Sequence, residues 1–370
     1  MFNAGWSTDT SDPQWDDFLQ SAALGQFQQS SIWAHVKKTE GFKSIRVIVT
    51  VDDRIAGGFQ ILWRRFSLWR IGYVSKGPVV WPEDPRVCEF VADLLRSVVE
   101  ANKLSALIVQ PPDLTEAIPA TLPKNLFLPN VLKSVIESTL VVDVTGSLET
   151  IQQRISKYTR KKLRQADRRG AVIREGGKQD IGAFFQLMLA TCKRQGEKAS
   201  PRTEESLHAL WDAGRATQNV RFIFAECGGK TVAGGLFIRF GGTVSFWKKG
   251  WNSTAGECRP NELITYEGLE WAKACDLKLL DFMGLDEATA QAMIKGEELT
   301  DEQKAGRDFL NICFGGQPRL LPRASVYFPS PVLRFAYKTV ALGIFSKIGW
   351  FRSDHQKRRR RTPPHLAEQP

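Results

Sequence analysis

Two distant stretches of this chain read as versions of one hairpin. Val47 to Phe66 is VIVTVDDRIAGGFQILWRRF, and Arg221 to Phe240 is RFIFAECGGKTVAGGLFIRF. Each predicts a strand, a tight polar turn (Asp52-Asp53 or Gly228-Gly229), and a second strand opened by Ala-Gly-Gly. The paired glycines predict a bulge or a close backbone approach at the same place in both copies. A helix-compatible stretch precedes each hairpin, Ser31 to Thr39 and Ser206 to Thr217. Strand, helix and strand follow: Ile71 to Val80, Pro85 to Asn102 and Ala106 to Gln110, then Thr243 to Trp251, Asn261 to Cys275 and Leu277 to Asp281. A pattern that returns in this order predicts a tandem α/β duplication.

The 370 residues suffice for two domains with separate cores. The first unit is expected over 1–146 and the second over 147–318. A C-terminal segment with an amphipathic helix spans 319–352, and a basic tail spans 353–370. The polar stretch Asp286 to Arg307 reads as a helical excursion over the cleft between the units.

A basic helix opens the second unit. From Arg154 to Arg169 the chain carries eight basic residues and one acid, Asp167. Ser147 is placed to cap a helix running to Gly170, a residue suited to its end. Leu148, Ile151, Ile155, Leu163 and Ala166 give it a thin apolar side, so the charges crowd the other face. Two readings stand: a solvated face, or a surface for an anionic partner such as phosphate. The net charge of +11 favours nucleic acid, anionic lipid or phosphorylated small molecules without choosing among them.

The six cysteines are scattered, without a Cys-x-x-Cys pair or a histidine at ligand spacing. They read as small core residues in a reducing cytoplasm, with neither a metal site nor a disulfide expected. No signal peptide is expected, and no apolar run reaches the roughly 18 residues of a spanning helix. From Pro331 the sequence changes character. Val332, Leu333, Phe335, Val340, Leu342, Ile344, Phe345, Ile348, Trp350 and Phe351 alternate with Arg334, Lys338, Lys347 and Arg352, and Lys357 to Arg361 follow. This stretch reads either as an interfacial helix on an anionic membrane or as a helix docked on the protein itself.

Several motifs together resemble the FemABX transferases. Phe27-Gln28-Gln29-Ser30-Ser31-Ile32-Trp33-Ala34-His35-Val36-Lys37 is similar to their opening motif. Tyr73-Val74-Ser75-Lys76-Gly77-Pro78-Val79 resembles Tyr-x-x-Arg-Gly-Pro-Val, with Lys76 in place of arginine. Thr159 to Val172 resembles Thr-Arg-x-x-Ile-Arg-x-Ala-x-x-x-Gly-Val. Arg259-Pro260-Asn261-Glu262-Leu263-Ile264, Glu270-Trp271-Ala272-Lys273, Asp281-Phe282-Met283-Gly284 and Phe314-Gly315-Gly316 follow in the family's order. The likeness covers about residues 20–325.

The resemblance implies an α/β (α+β) fold of two tandem GNAT-like acyltransferase units, each a mixed, largely antiparallel sheet flanked by helices, without the coiled-coil insertion of larger members. It implies a cytoplasmic enzyme, at most peripheral to the inner face of the membrane, that moves an amino acid from aminoacyl-tRNA to an amine of a peptidoglycan precursor. The donor is then a co-substrate, and no cofactor or metal is implied. Lys37 stands where a family lysine contacts the precursor's diphosphate, and Arg194 aligns with a second phosphate contact. Lys76, in place of the motif arginine, is a substrate-binding candidate, and Trp247 falls where the family lines its acceptor channel, either stacking on a sugar or base or packing in the core. Arg160, Lys161 and Arg164 are placed to hold tRNA backbone or the diphosphate of a lipid-linked acceptor. Two sites depart from the pattern. Leu310-Asn311 replaces Phe-Lys, whose lysine contacts the tRNA end, so Asn311 takes that position. Gln110-Pro111 replaces an acid before proline, leaving Asp113 and Asp281 as acids nearby, with Asp281 the candidate base or else a buried structural aspartate. Three readings follow: an aminoacyl-tRNA transferase, an N-acyltransferase using acyl-CoA or an acyl carrier, or a non-catalytic binder of RNA or anionic lipid. The missing lysine favours the second, and the absence of an Arg/Gln-x-x-Gly-x-Gly/Ala phosphate loop counts against it.

Overall fold

The computed structural model describes residues 2–131 and 135–341. The basic run Lys357 to Arg361 and the expected helix beyond Ala341 lie outside the described residues. Strands β1 (Phe2–Ser7), β2 (Lys43–Val51), β3 (Arg54–Phe66), β4 (Trp69–Ser75), β5 (Val79–Val80), β6 (Ala106–Gln110) and β7 (Leu128–Pro129) come first in the chain. Then follow β8 (Ser138–Asp143), β9 (Ala171–Gly176), β10 (Val220–Cys227), β11 (Lys230–Phe240), β12 (Thr243–Trp251), β13 (Leu279–Asp281) and β14 (Gln317–Leu320), with β15 (Ser325–Tyr327) last.

They form two sheets of one design. The first runs β1-β2-β3-β4-β6-β15-β7, with β5 beside β3, and the second runs β14-β8-β13-β12-β11-β10-β9. In each, antiparallel strands lead to one parallel pairing, β4 with β6 and β12 with β13. The helix Pro85–Ala101 or Pro260–Ala274 makes the crossover that a parallel pair requires. The tandem GNAT-like architecture is therefore present.

The duplicated hairpins carry the same irregularity. Register shifts after Val49 against β3 and after Ala225 against β11, next to the Ala-Gly-Gly of each copy. At Gly58, φ is +153° and a Cβ would lie 2.2 Å from the Val47 carbonyl oxygen. At Gly235 it would lie 2.5 Å from Ile264. Backbone and helix approach too closely there for any side chain.

Sheet membership crosses the unit boundary at residue 146 in both directions. β8, which precedes it in the chain, pairs with β13 and β14 of the second sheet. β15, beyond residue 318, returns to pair with β6 and β7 of the first. Separate cores lie under the helix Pro85–Ala101 and under the helix Pro260–Ala274. A third is shared, joining Trp15, Phe27 and Trp33 to Phe184, Phe222 and Leu236. The helices Ser31–Lys38 and Glu204–Gly214 meet across this seam, where the hydroxyls of Thr39 and Ser206 lie 2.8 Å apart.

Three expectations are corrected. The basic segment is two helices, Leu148–Arg154 and Lys157–Arg168. Ile155 turns extended to bury its side chain, and Ser156 restarts the helix by accepting from Thr159 N at 3.2 Å. The segment over 286–307 is an excursion only in its second half: its helix Glu287–Ile294 buries Ala290 completely in the second core, whereas Ala305 and Arg307 line a cleft of the second unit. Cys227 and Cys258 form a disulfide rather than lying apart as core thiols. The sheet brings the end of β10 beside the turn that precedes the helix Pro260–Ala274, a proximity that a separation of 31 residues conceals.

A methyl group at Gly58 forces strands apart, whereas one at Gly5 meets nothing within 4 Å. Gly58→Ala should cost at least about 1–3 kcal/mol, and Gly5→Ala should stay within about 0.5 kcal/mol. Chemical denaturation of the two variants measures the difference.

Candidate active site

The two parallel pairings differ in one decisive way. β4 and β6 stay paired from Ile71–Ala106 to Ser75–Gln110. β12 and β13 pair only from Thr243–Leu279 to Ser245–Asp281, and then diverge. Beside the divergence, the register of β12 against β11 slips at Trp247, which becomes the extra residue of a bulge. The freed half of β12, Phe246 to Trp251, walls an open cleft of about 760 Å³. The helix Ile181–Gln195, the turn Phe282–Gly284 and the helix Phe309–Cys313 close the other sides.

Lys249 is the chemical centre of this cleft. Its Nζ donates to Asn311 Oδ1 at 2.5 Å and lies over the rings of Phe246 and Phe282, at 4.3 and 5.1 Å from their centroids. Burial pushes its pKa down to about 7, against a partial upward pull from Asp308 and Glu262. An amine that is half neutral near pH 7 can both accept and donate a proton. Nothing in the sequence pattern singles out this residue.

Several expected residues converge on the same cleft. Arg194, Trp247 and Asn311 line it. The Arg194 guanidinium stacks 5.0 Å over Trp251 and donates to the Trp251 carbonyl and to the Ser253 hydroxyl. Trp247 meets Trp33 edge to face at 5.3 Å, bringing the first unit to the cleft mouth. There Lys37 lies 5.1 Å over Trp33 and pairs with Glu40 at 2.8 Å. Burial, and next the charge of Lys37, push the neighbouring Lys248 amine down from its ordinary pKa.

The opening motif holds Lys37 in place. Gln29 accepts from Gln60 N at 2.7 Å and donates to the Ser75 carbonyl at 2.8 Å, tying β3 to the end of β4. Ser30 caps the helix at Trp33 N, and the Ser31 hydroxyl donates to the buried Asp16 at 2.6 Å. Three polar residues of the motif are thus committed to structure, leaving Lys37 at the cleft mouth.

Lys76 and Asp281 form a second group behind the cleft wall. Asp281 Oδ1 accepts from the Thr139 hydroxyl at 2.5 Å and from Met283 N at 2.8 Å, which holds the turn Phe282–Gly284. Burial raises its pKa, against those two bonds and the charge of Lys76. Burial brings Lys76 down to about 8, while Asp281 and Asp113 pull it up. Asp113 pairs with Arg319 at 3.2 Å, and Gln110 donates to the carbonyls of Ile136 and Pro322. Neither Lys76 nor Asp281 lines the cleft.

A smaller cavity of about 320 Å³ adjoins it, sharing Trp251, Asn261 and Leu310. Tyr158, Thr159 and Lys162 of the basic helix form its outer wall, with Arg259 and Glu262 opposite. Lys162 pairs with Glu262 at 3.1 Å. Arg160, Lys161 and Arg164 do not line it. Lys161 and Arg164 are exposed, Arg160 is half-buried, and all three lack carboxylate partners among the described residues. The same helix anchors its end through Arg169, which donates to the Glu257 carbonyl at 2.5 Å beside the disulfide.

Comparison with known proteins matches each half of this arrangement. Residues 10–121 match the FemAB family, and residues 153–290 match the acetyltransferase (GNAT) domain. Together the two matches support the likeness to the FemABX transferases. It is 27% identical over 195 residues to a lipid II:glycine glycyltransferase of Staphylococcus haemolyticus, covering 49% of this chain and 46% of that protein. It is 26% identical over 196 residues to one from Staphylococcus epidermidis, covering 50% and 47%. The chain thus spans about half the length of the curated relatives it matches. Among solved structures, FemX superposes with a TM-score of 0.73 at 15% identity, over 91% of this chain and 99% of that one. A tandem GNAT protein from the clavulanic acid biosynthesis pathway gives 0.53 at 10% identity, over 90% and 99%. These likenesses establish the fold.

Asn311 favours the charged form of Lys249, since its carbonyl accepts from the ammonium more strongly than from the amine. Asn311→Leu should therefore lower the Lys249 pKa below about 7, as read by NMR titration of labelled lysine. The depressed pKa also has a stability sign: the penalty for folding around Lys249 is full below about pH 7 and fades as the pH rises toward lysine's ordinary value. Lys249→Met should raise the thermal midpoint at neutral pH and lose that advantage at high pH.

Proposed function

We propose that this protein is an aminoacyltransferase, joining an aminoacyl group carried as an ester on tRNA to an amine of a phosphorylated, lipid-linked cell-wall precursor. The observation that carries this reading is the half-neutral amine of Lys249 in a cleft flanked by cationic residues at both ends. Lys37 and Lys248 lie toward one end, and the basic helix lies beyond the smaller cavity at the other. Both substrates are polyanions, and each finds a separate basic mouth. The names of the staphylococcal relatives support the choice of acceptor and reaction.

In the reaction the acceptor nitrogen bonds to the ester carbonyl carbon, and the bond from that carbon to the tRNA 3′-oxygen breaks. The nitrogen must shed a proton, and the leaving oxygen must gain one. Neutral Lys249 takes the first proton and, as an ammonium, supplies the second, so the step balances without another reagent. Asn311 orients the amine, and the rings of Phe246 and Phe282 stabilise its charged form. Positioning in the cleft contributes much of the remaining rate. Lys37 contacts the acceptor diphosphate. Arg194 and Trp247 shape the acceptor path. Arg160, Lys161 and Arg164 hold the donor backbone. Asp281 positions the turn Phe282–Gly284 through Met283, and Lys76 balances its charge.

The geometry around Asn311 favours tRNA over an acyl-CoA donor. Asn311 lacks the cation expected at this position, and the Lys249 amine from β12, bonded to it, supplies one.

Thermal shift and native mass spectrometry should show saturable preference for aminoacyl-tRNA over uncharged tRNA, acetyl-CoA and a long-chain acyl-CoA. Preference for an acyl-CoA would overturn the donor assignment. Lys249→Met should lower kcat by about 10²–10⁴, and the wild-type rate should rise as pH passes upward through about 7; unchanged turnover in this variant would remove Lys249 from the chemistry. Lys37→Ala should raise KM for the acceptor with little change in kcat, read in steady-state assays at varied acceptor.

A further inference from the structure

The hairpin joining β3 to β4 ends in a feature that the reaction does not use. Its sequence, Arg64-Arg65-Phe66-Ser67-Leu68-Trp69-Arg70, places three large apolar side chains among three arginines. β2 supports β3 only as far as Trp63, opposite Lys43, and β6 begins its pairing at Ile71, opposite Arg64. Among the described residues, the tip beyond these points has no neighbouring strand on either side. Leu68 is 82% exposed, Trp69 50% and Phe66 38%. Leaving this much apolar surface in water is unfavourable, and among the described residues only the Arg64 guanidinium is stacked over one of the three, Phe66.

The cations around the tip are arranged as a collar. Arg64 stacks 4.1 Å over Phe66 and 4.7 Å over Phe42. Lys43 and Arg70 lie over Trp63 at 5.3 and 5.7 Å. Arg65 donates to the Ser67 carbonyl, and Arg70 to that of Asn102. None of these four side chains pairs with a carboxylate among the described residues. Apolar groups at the apex with basic groups one step behind match the depth profile of an anionic bilayer, with hydrocarbon inside and phosphate at the rim.

A second element leaves from the same end of the sheet. β15 runs antiparallel to β6 and ends at Tyr327 opposite Leu107, one step from where β6 begins. The helix Pro331–Ala336 follows, with Val332 75% and Phe335 69% exposed on either side of Arg334.

We propose that the β3–β4 hairpin tip inserts Phe66, Leu68 and Trp69 into an anionic lipid membrane, with Lys43, Arg64, Arg65 and Arg70 on the headgroup phosphates. The placement suits a lipid-linked acceptor. A groove of about 490 Å³ lined by Glu40, Lys43, Trp63, Arg64, Arg65 and Arg70 leads from the tip toward Glu40, the partner of Lys37 at the cleft mouth. RNA also seeks arginine, but it does not reward an exposed leucine at the apex.

The test is co-sedimentation of the full-length protein with sucrose-loaded vesicles of phosphatidylcholine, with or without phosphatidylglycerol, at physiological salt and without donor or acceptor. The wild type should bind the anionic vesicles and not the neutral ones. Leu68→Glu with Trp69→Glu should weaken partitioning at least tenfold. The milder pair Leu68→Ser and Trp69→Ser should weaken it several-fold at an unchanged thermal midpoint. Arg64→Gln with Arg65→Gln should weaken it and flatten its dependence on salt. Wild-type binding by the Leu68→Glu/Trp69→Glu and Arg64→Gln/Arg65→Gln variants would overturn the proposal. So would loss of binding only when Lys357 to Arg361 are changed to glutamine, or binding to RNA but to neither vesicle. Because the assay contains no transfer reaction, its failure leaves the aminoacyltransferase reading standing, and failure of that reading leaves the vesicle result intact.

Discussion

The divergence of β12 from β13 after three paired residues is the constraint on which the site depends. A parallel pair that continued, as β4 and β6 do, would fill the space with backbone hydrogen bonds. Once β12 swings away, its freed half can face a helix and a turn instead of a strand, and a cleft opens beside it in the second sheet. The Trp247 bulge sits where the strands part, and its ring reaches Trp33 of the first unit. One local irregularity thus opens the cavity and docks the other half of the molecule against it. The duplication accordingly yields two different units, one whose parallel pair runs on for five residues and one whose parallel pair parts after three.

The environment of Lys249 follows from that opening. A lysine on a fully paired strand would send its amine to solvent and keep its ordinary pKa. Here the amine is confined between two phenyl rings and one amide oxygen, with the carboxylates of Asp308 and Glu262 acting from further off. Desolvation outweighs their attraction, so the group is poised near neutrality. Asn311 is then an accepting partner for a lysine that approaches from the opposite wall.

Much of this was legible in the residues. The echo of the two hairpins, the glycines at their bulges and the crossover helices all follow from spacing and turn chemistry. Lys37, Arg194, Trp247 and Asn311 do meet around one cleft. Lys249 was not legible, because Phe246-Trp247-Lys248-Lys249 reads by strand alternation as one lysine facing in and one facing out. The register slip at Trp247 breaks that alternation, and a bulge within a run of aromatic residues leaves no mark in composition. The break at Ile155 and the pairing of Cys227 with Cys258 were hidden for another reason. Both are set by what lies opposite in space, the second core and the end of β10, rather than by local preference.

The exchange of strands between the sheets also orders the events of synthesis. β6 is buried along its whole length, yet one of its two neighbours, β15, lies more than two hundred residues further along the chain. Until Tyr327 has left the ribosome, the strand Ala-Leu-Ile-Val-Gln presents an open, apolar edge, and such edges recruit strands from other chains. The first unit is therefore first to be made and among the last to be completed. Its nascent form is the stage at which the protein most needs a chaperone.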